Sequence, residues 1–128
     1  MHRSRLYGIF IDTPDADADE AAAFWSGVFG VTAVPEREEP QFITLPGAVP
    51  GLTVDVQRIG GGEGPRYHVD LETDDVDAET ARLLALGATE INRWLGCRIL
   101  RAPGGHVLCV VPVHSDPALF DAEARTWE

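Results

Sequence analysis

A chain of 128 residues, 45% hydrophobic and 24% charged, is one domain's worth of material of the soluble globular class. Twenty-one acidic against ten basic residues give a formal charge of -11, which repels phosphate backbones and anionic lipid heads and excludes nucleic acid as a partner. No stretch approaches the ~20 apolar residues of a membrane span, and the first residues lack the apolar run of a signal peptide. A cytoplasmic address is therefore expected, with Cys97 and Cys109 as reduced thiols.

Leu6 to Thr13 alternates as a strand, with Tyr7, Ile9 and Ile11 on one face and Gly8, Phe10 and Asp12 on the other. Asp17 with Glu20 reads as a helix start, Ala21, Phe24, Trp25 and Val28 as its apolar face, and Gly30 as its end. Val31 to Val34, Gln41 to Leu45 and Leu52 to Ile59 then read as three short strands. Gly60-Gly-Gly-Glu-Gly-Pro65 has linker composition; no helix start or Lys-Ser/Thr follows it, so it is not a phosphate loop.

Arg66 to Asp75 is the most regular strand pattern in the chain. Tyr67, Val69, Leu71 and Thr73 alternate with His68, Asp70 and Glu72. It feeds a helix capped by Asp75 and closed by Gly87, after which Thr89 to Trp94, Arg98 to Arg101 and His106 to Val111 supply three more strands. Asp116-Pro117 starts a short tail helix through Ala124, where Leu119, Phe120 and Trp127 are candidates for an assembly surface or for packing on the same chain.

The two halves repeat. Tyr7 to Thr13 matches Tyr67 to Thr73 position by position, and strand, helix, glycine and three strands recur in the same order. The expected fold class is α+β: a single domain of module 5–59, linker 60–65, module 66–112 and tail 114–128, each module βαβββ. Helices cover the apolar sheet faces, and the polar faces line a cleft with Phe10, Asp12, Asp55, Gln57, His68, Asp70, Glu72 and Cys109. Trp94 is a further stacking candidate for a planar ligand.

Tyr67-His-Val-Asp-Leu-Glu-Thr-Asp-Asp-Val-Asp-Ala-Glu79, Leu83-Leu-Ala-Leu-Gly-Ala-Thr89 and Ala102-Pro-Gly-Gly-His-Val-Leu-Cys-Val-Val111 together resemble the vicinal oxygen chelate superfamily, in particular its glyoxalase-like, bleomycin-resistance branch. The resemblance implies paired βαβββ modules curled into a cup, often in a homodimer. In metal-dependent members it implies a divalent ion held at Gly8, a residue near Asp55 or Gln57, His68 and Cys109. Gly8 has no ligand atom, and Cys109 stands where a glutamate is expected.

The resulting expectation is a small organic ligand, cationic or aromatic, held in the cup by a sequestering, resistance-type protein with no catalytic metal. Were a metal bound, His68, Asp55 and Cys109 would be its ligands. The alternative is a lyase-, isomerase- or dioxygenase-type enzyme using a divalent metal or His68 as general base. Cys109 as a nucleophile is the weakest reading, since a thiol between Leu108 and Val110 is a small buried hydrophobe.

Overall fold

The computed structural model describes all residues, 1–128. Nine strands and three helices form a mixed α+β chain: β1 (His2–Thr13), α1 (Ala18–Phe29), β2 (Val34–Pro35), β3 (Phe42–Thr44), β4 (Thr53–Arg58), β5 (Arg66–Thr73), α2 (Val76–Ala85), β6 (Thr89–Trp94), β7 (Cys97–Arg101), β8 (Val107–Pro112), α3 (Pro117–Glu123) and β9 (Arg125–Trp127). It divides into two compact units, Gly8–His68 and Met1–Tyr7 with Val69–Glu128. Both boundaries fall inside strands, so β1 and β5 each serve both units. No helix is long and apolar enough to cross a membrane.

The expected repeat is present in the hydrogen bonding. In the unit Gly8–His68, β1 pairs in parallel with β4, β4 with antiparallel β3, and β3 with antiparallel β2. In the other unit β5 pairs in parallel with β8, β8 with antiparallel β7, and β7 with antiparallel β6. Each opening strand thus meets the last strand of its own βαβββ set.

Ile11, Ala22, Ile43, Leu45, Val54 and Val56 form the core of the unit Gly8–His68. Each large aliphatic side chain there contributes about 1.5–3 kcal/mol by leaving water. Helix α1 covers this core with Ala18, Ala22, Trp25 and Phe29, a stripe at spacings of four, three and four. Phe24 and Val28, expected on that face, are 63% and 53% exposed. They lie one position off the stripe, and Phe24 packs edge-on against Trp25 instead.

Other differences from the sequence reading have local causes. Asp17 makes no capping bond; it ends a 3-10 turn at Asp15–Asp17, and it is Asp15 whose carboxylate accepts from the Gly60 amide at the start of the glycine-rich segment. Strand β2 is only Val34–Pro35 because the Val31 amide is spent on the Ser26 carbonyl at the end of α1, where Gly30 takes a left-handed conformation. Asp75 caps α2 as expected, accepting from the Ala78 amide at 3.0 Å.

The tail packs on its own unit. Helix α3 starts at Pro117 with Asp116 as its cap, Phe120 is buried under the Arg3 guanidinium, and the unanticipated β9 pairs antiparallel with His2–Ser4. With that partner, and with Arg3 bonded to Thr73 and Asp74, β1 begins at His2 rather than Leu6. Two buried carboxylates fix the arrangement. Glu72, 0% exposed, accepts from Arg5, from the His114 and Ser115 amides, and from the Ser115 hydroxyl. Glu79 accepts from Arg82 through Nε and Nη2, and from His2 at 2.8 Å. Trp127 donates to Ser4 at 2.8 Å and stacks under Arg82.

Burial pushes the Glu79 carboxyl up, but the hydrogen bonds from Arg82, Ser4 and His2 and the Arg82 charge outweigh it and hold it at about 2 against an ordinary 4.5. A depressed carboxyl stabilises the fold above its unfolded pKa and loses that contribution as pH falls through its folded value. The advantage of wild type over Glu79→Gln in urea unfolding is therefore expected to be full above pH 4.5 and to fade toward pH 2. At about 1.36 kcal/mol for each factor of ten in acidity, the full effect is roughly 3 kcal/mol. Replacing Glu72 by Gln removes the buried charge that pairs with Arg5, and the urea midpoint is expected to fall by the equivalent of about 3 kcal/mol.

Candidate functional site

The polar face of the unit Gly8–His68 is set by strand register. Phe10 lies opposite Asp55 and Asp12 opposite Gln57 across β1 and β4, while β3 sets Thr44 opposite Asp55 and Phe42 opposite Gln57. Directly paired residues share a face. Phe10, Asp12, Phe42, Asp55 and Gln57 therefore stand together, with Ile11, Ile43 and Val56 turned to the core behind them.

The first residues of β5 meet this face at Asp12. His68 donates from Nδ1 to Asp12 Oδ2 at 2.7 Å, and its ring stacks on Phe10 with centroids 4.9 Å apart and planes 7° from parallel. Phe42 closes on Phe10 from the edge. Arg66 reaches the same carboxylate oxygen at 3.4 Å and also pairs with Glu63. Asp12 is only 2% exposed, and its Oδ1 is buried with no hydrogen-bond partner. The hydrogen bond at Nδ1 fixes the tautomer, so in the neutral ring Nε2 carries the lone pair.

Phe10, Asp12, Asp55, Gln57 and His68 are thus brought together in one unit. The other sequence candidates belong to the second unit. Asp70 and Cys109 are cross-strand partners on β5 and β8, and Glu72, two residues beyond Asp70, is consumed by Arg5, His114 and Ser115 as a structural carboxylate. Trp94 ends β6 opposite Cys97 and is 68% exposed. Arg66 and Phe42 were not anticipated. The alternation of β5 places Arg66 on the His68 face and could have found it; Phe42 depends on a β3–β4 register that sequence does not supply.

The four positions the resemblance assigns to a metal do not make a four-ligand site. Gly8 has no donor, and a Cβ there would lie 2.8 Å from the Thr53 carbonyl oxygen, so no side chain fits without moving backbone. The donor types on β5 and β8, imidazole His68, carboxylate Asp70 and thiol Cys109, are those of a three-ligand zinc site.

A family model described as a glyoxalase-like domain matches residues 8–111. Solved structures are similar in fold at low identity. They include a hypothetical protein from Bacillus halodurans (TM-score 0.63, 10% identity, covering 88% of this chain and 96% of that one). An NAD-dependent benzaldehyde dehydrogenase from Legionella pneumophila gives TM-score 0.57 at 10% identity, covering 83% of this chain and 99% of that one. A methylmalonyl-CoA epimerase from Mycobacterium tuberculosis gives TM-score 0.51 at 20% identity, covering 88% and 90%. No curated protein matches the chain.

The Asp12–His68 pair makes a direct prediction. In Asp12→Asn the amide presents its N–H₂ to Nδ1, and His68 is expected to change from the Nδ1–H to the Nε2–H tautomer, read by nitrogen chemical shifts of the imidazole. An unchanged tautomer would show that Asp12 does not orient the ring.

Proposed function

We propose that this chain, which belongs to the glyoxalase-like domain family of the vicinal oxygen chelate superfamily, binds a small, flat organic molecule bearing an N–H or O–H donor at the Asp12–His68 face. The observation that carries this reading is the buried Asp12 Oδ1 without a hydrogen-bond partner, beside the stacked Phe10 and His68 rings. A buried carboxylate oxygen left unpaired costs free energy, and a ligand donor would remove that cost. Phe10 and Phe42 supply the apolar contact for a planar group.

The charge at the face is not simply acidic. Asp12 already meets His68 and Arg66, so the ligand is recognised through a directed hydrogen bond and stacking, with cationic character a secondary help. Sequestration of such a compound, as in a resistance protein, follows from binding without turnover. A homodimer and a cytoplasmic address belong to the same reading, the former checked by solution mass.

A second reading rests on the same pair. An imidazole oriented by a buried carboxylate is the arrangement of a general base, suited to taking a proton from carbon beside a carbonyl. Metal-dependent chemistry through His68, Asp70 and Cys109 is the further enzymatic form, and stoichiometric zinc in untagged protein would favour it.

A panel of aromatic amines and phenols tested by thermal shift and calorimetry separates these readings. Ligands are expected whose affinity falls on the order of tenfold or more in Asp12→Asn and in Phe10→Ala. A panel without hits, or hits indifferent to both substitutions, would remove the binding proposal. Chemical conversion of a bound compound, lost in His68→Ala, would move the assignment to catalysis.

A further inference from the structure

A cavity lies wholly within the unit that carries the tail. It has a volume of about 220 Å³ and is lined in part by Leu6, Leu71 and Trp127. Drug-sized ligands occupy roughly 300–1,000 Å³, so this space suits a smaller metabolite.

Its charges sort into engaged and unengaged groups. Glu79 is held by Arg82 and His2, and Arg5 is held by Glu72 and Ser115. Arg125 and Glu123 also line the cavity, both are exposed, and neither has an ion pair, with each other or with any other residue. The fork of Arg82 uses Nε and Nη2 on Glu79, so Nη1 is a further donor on the same wall.

We infer that this cavity binds a zwitterionic amino acid with an apolar side chain. The carboxylate meets Arg125 and Arg82 Nη1, the ammonium meets Glu123, and the side chain lies on Leu6, Leu71 and the Trp127 ring. One unpaired cation and one unpaired anion match a zwitterion better than a simple anion, which Glu123 would repel, or a simple cation, which Arg125 would repel. Guanidinium groups are suited to planar recognition of a carboxylate.

The Trp127 indole N–H, which donates to Ser4, is a built-in reporter. In nitrogen–proton spectra its resonance is identified by its loss in Trp127→Phe, among the three tryptophans of the chain. Addition of L-leucine at millimolar concentration is expected to shift it saturably. Arg125→Ala is expected to weaken binding on the order of tenfold, Glu123→Gln by less, and His68→Ala not at all. Leucine amide and 4-methylpentanoate, each lacking one charge, are expected to bind more weakly than leucine. The unliganded position of the same resonance reports that each variant is folded. No saturable shift, a shift insensitive to Arg125→Ala, or equal binding of the three compounds would overturn the inference.

Discussion

Taking a carboxylate out of water costs several kcal/mol even after relaxation, and the cost is recovered only where cations and hydrogen-bond donors surround it. Three of the chain's buried acids differ in how they answer that constraint. Glu72 has four donors and Glu79 is gripped by Arg82, His2 and Ser4; these two anchor the tail and the first strand. Asp12 is buried to a similar degree but holds His68 and Arg66 through one oxygen and leaves the other unmet. The contrast separates acids whose oxygens are fully engaged in the fold from one that keeps an oxygen without a hydrogen-bond partner.

The repeat shows how one scaffold carries unequal sites. Each module pairs its first and last strands in parallel, yet the position that carries His68 in one module carries Gly8 in the other. Gly8 is more than a missing ligand: the closeness of the Thr53 carbonyl leaves no volume for any side chain. The backbone itself leaves no room for a ligand-bearing side chain at that position. Fold membership alone does not set function, which depends on the particular residues each module carries.

Periodicity carried most of the architecture. Alternation in Leu6 to Thr13 and Arg66 to Thr73, the Asp75 cap and the glycine-marked helix ends are local signals, and the βαβββ order followed from them. What escaped depends on distant partners. Strand β9 and the first residues of β1 are polar and irregular in sequence, and they pair with each other across nearly all of residues 1–128. Glu72 looked like a cleft residue because alternation gives its face but not the loop at His114–Ser115 that folds over it. Asp12 and His68 were both legible as candidates, whereas their hydrogen bond, 56 residues apart in sequence, was not.

The pairing of His2 with Trp127 has a consequence for the order of folding. It closes a loop of nearly the whole chain, and although the entropy of closure grows only slowly with length, such non-local contacts form late. During synthesis the start of β1 can bond Thr73, Asp74 and Glu79 first, and it gains its β9 partner only after residues 125–127 have been made. The Arg82–Trp127 stack and the Trp127–Ser4 bond are then late contacts, so the wall of the cavity in the tail-bearing unit is completed only once Trp127 is in place.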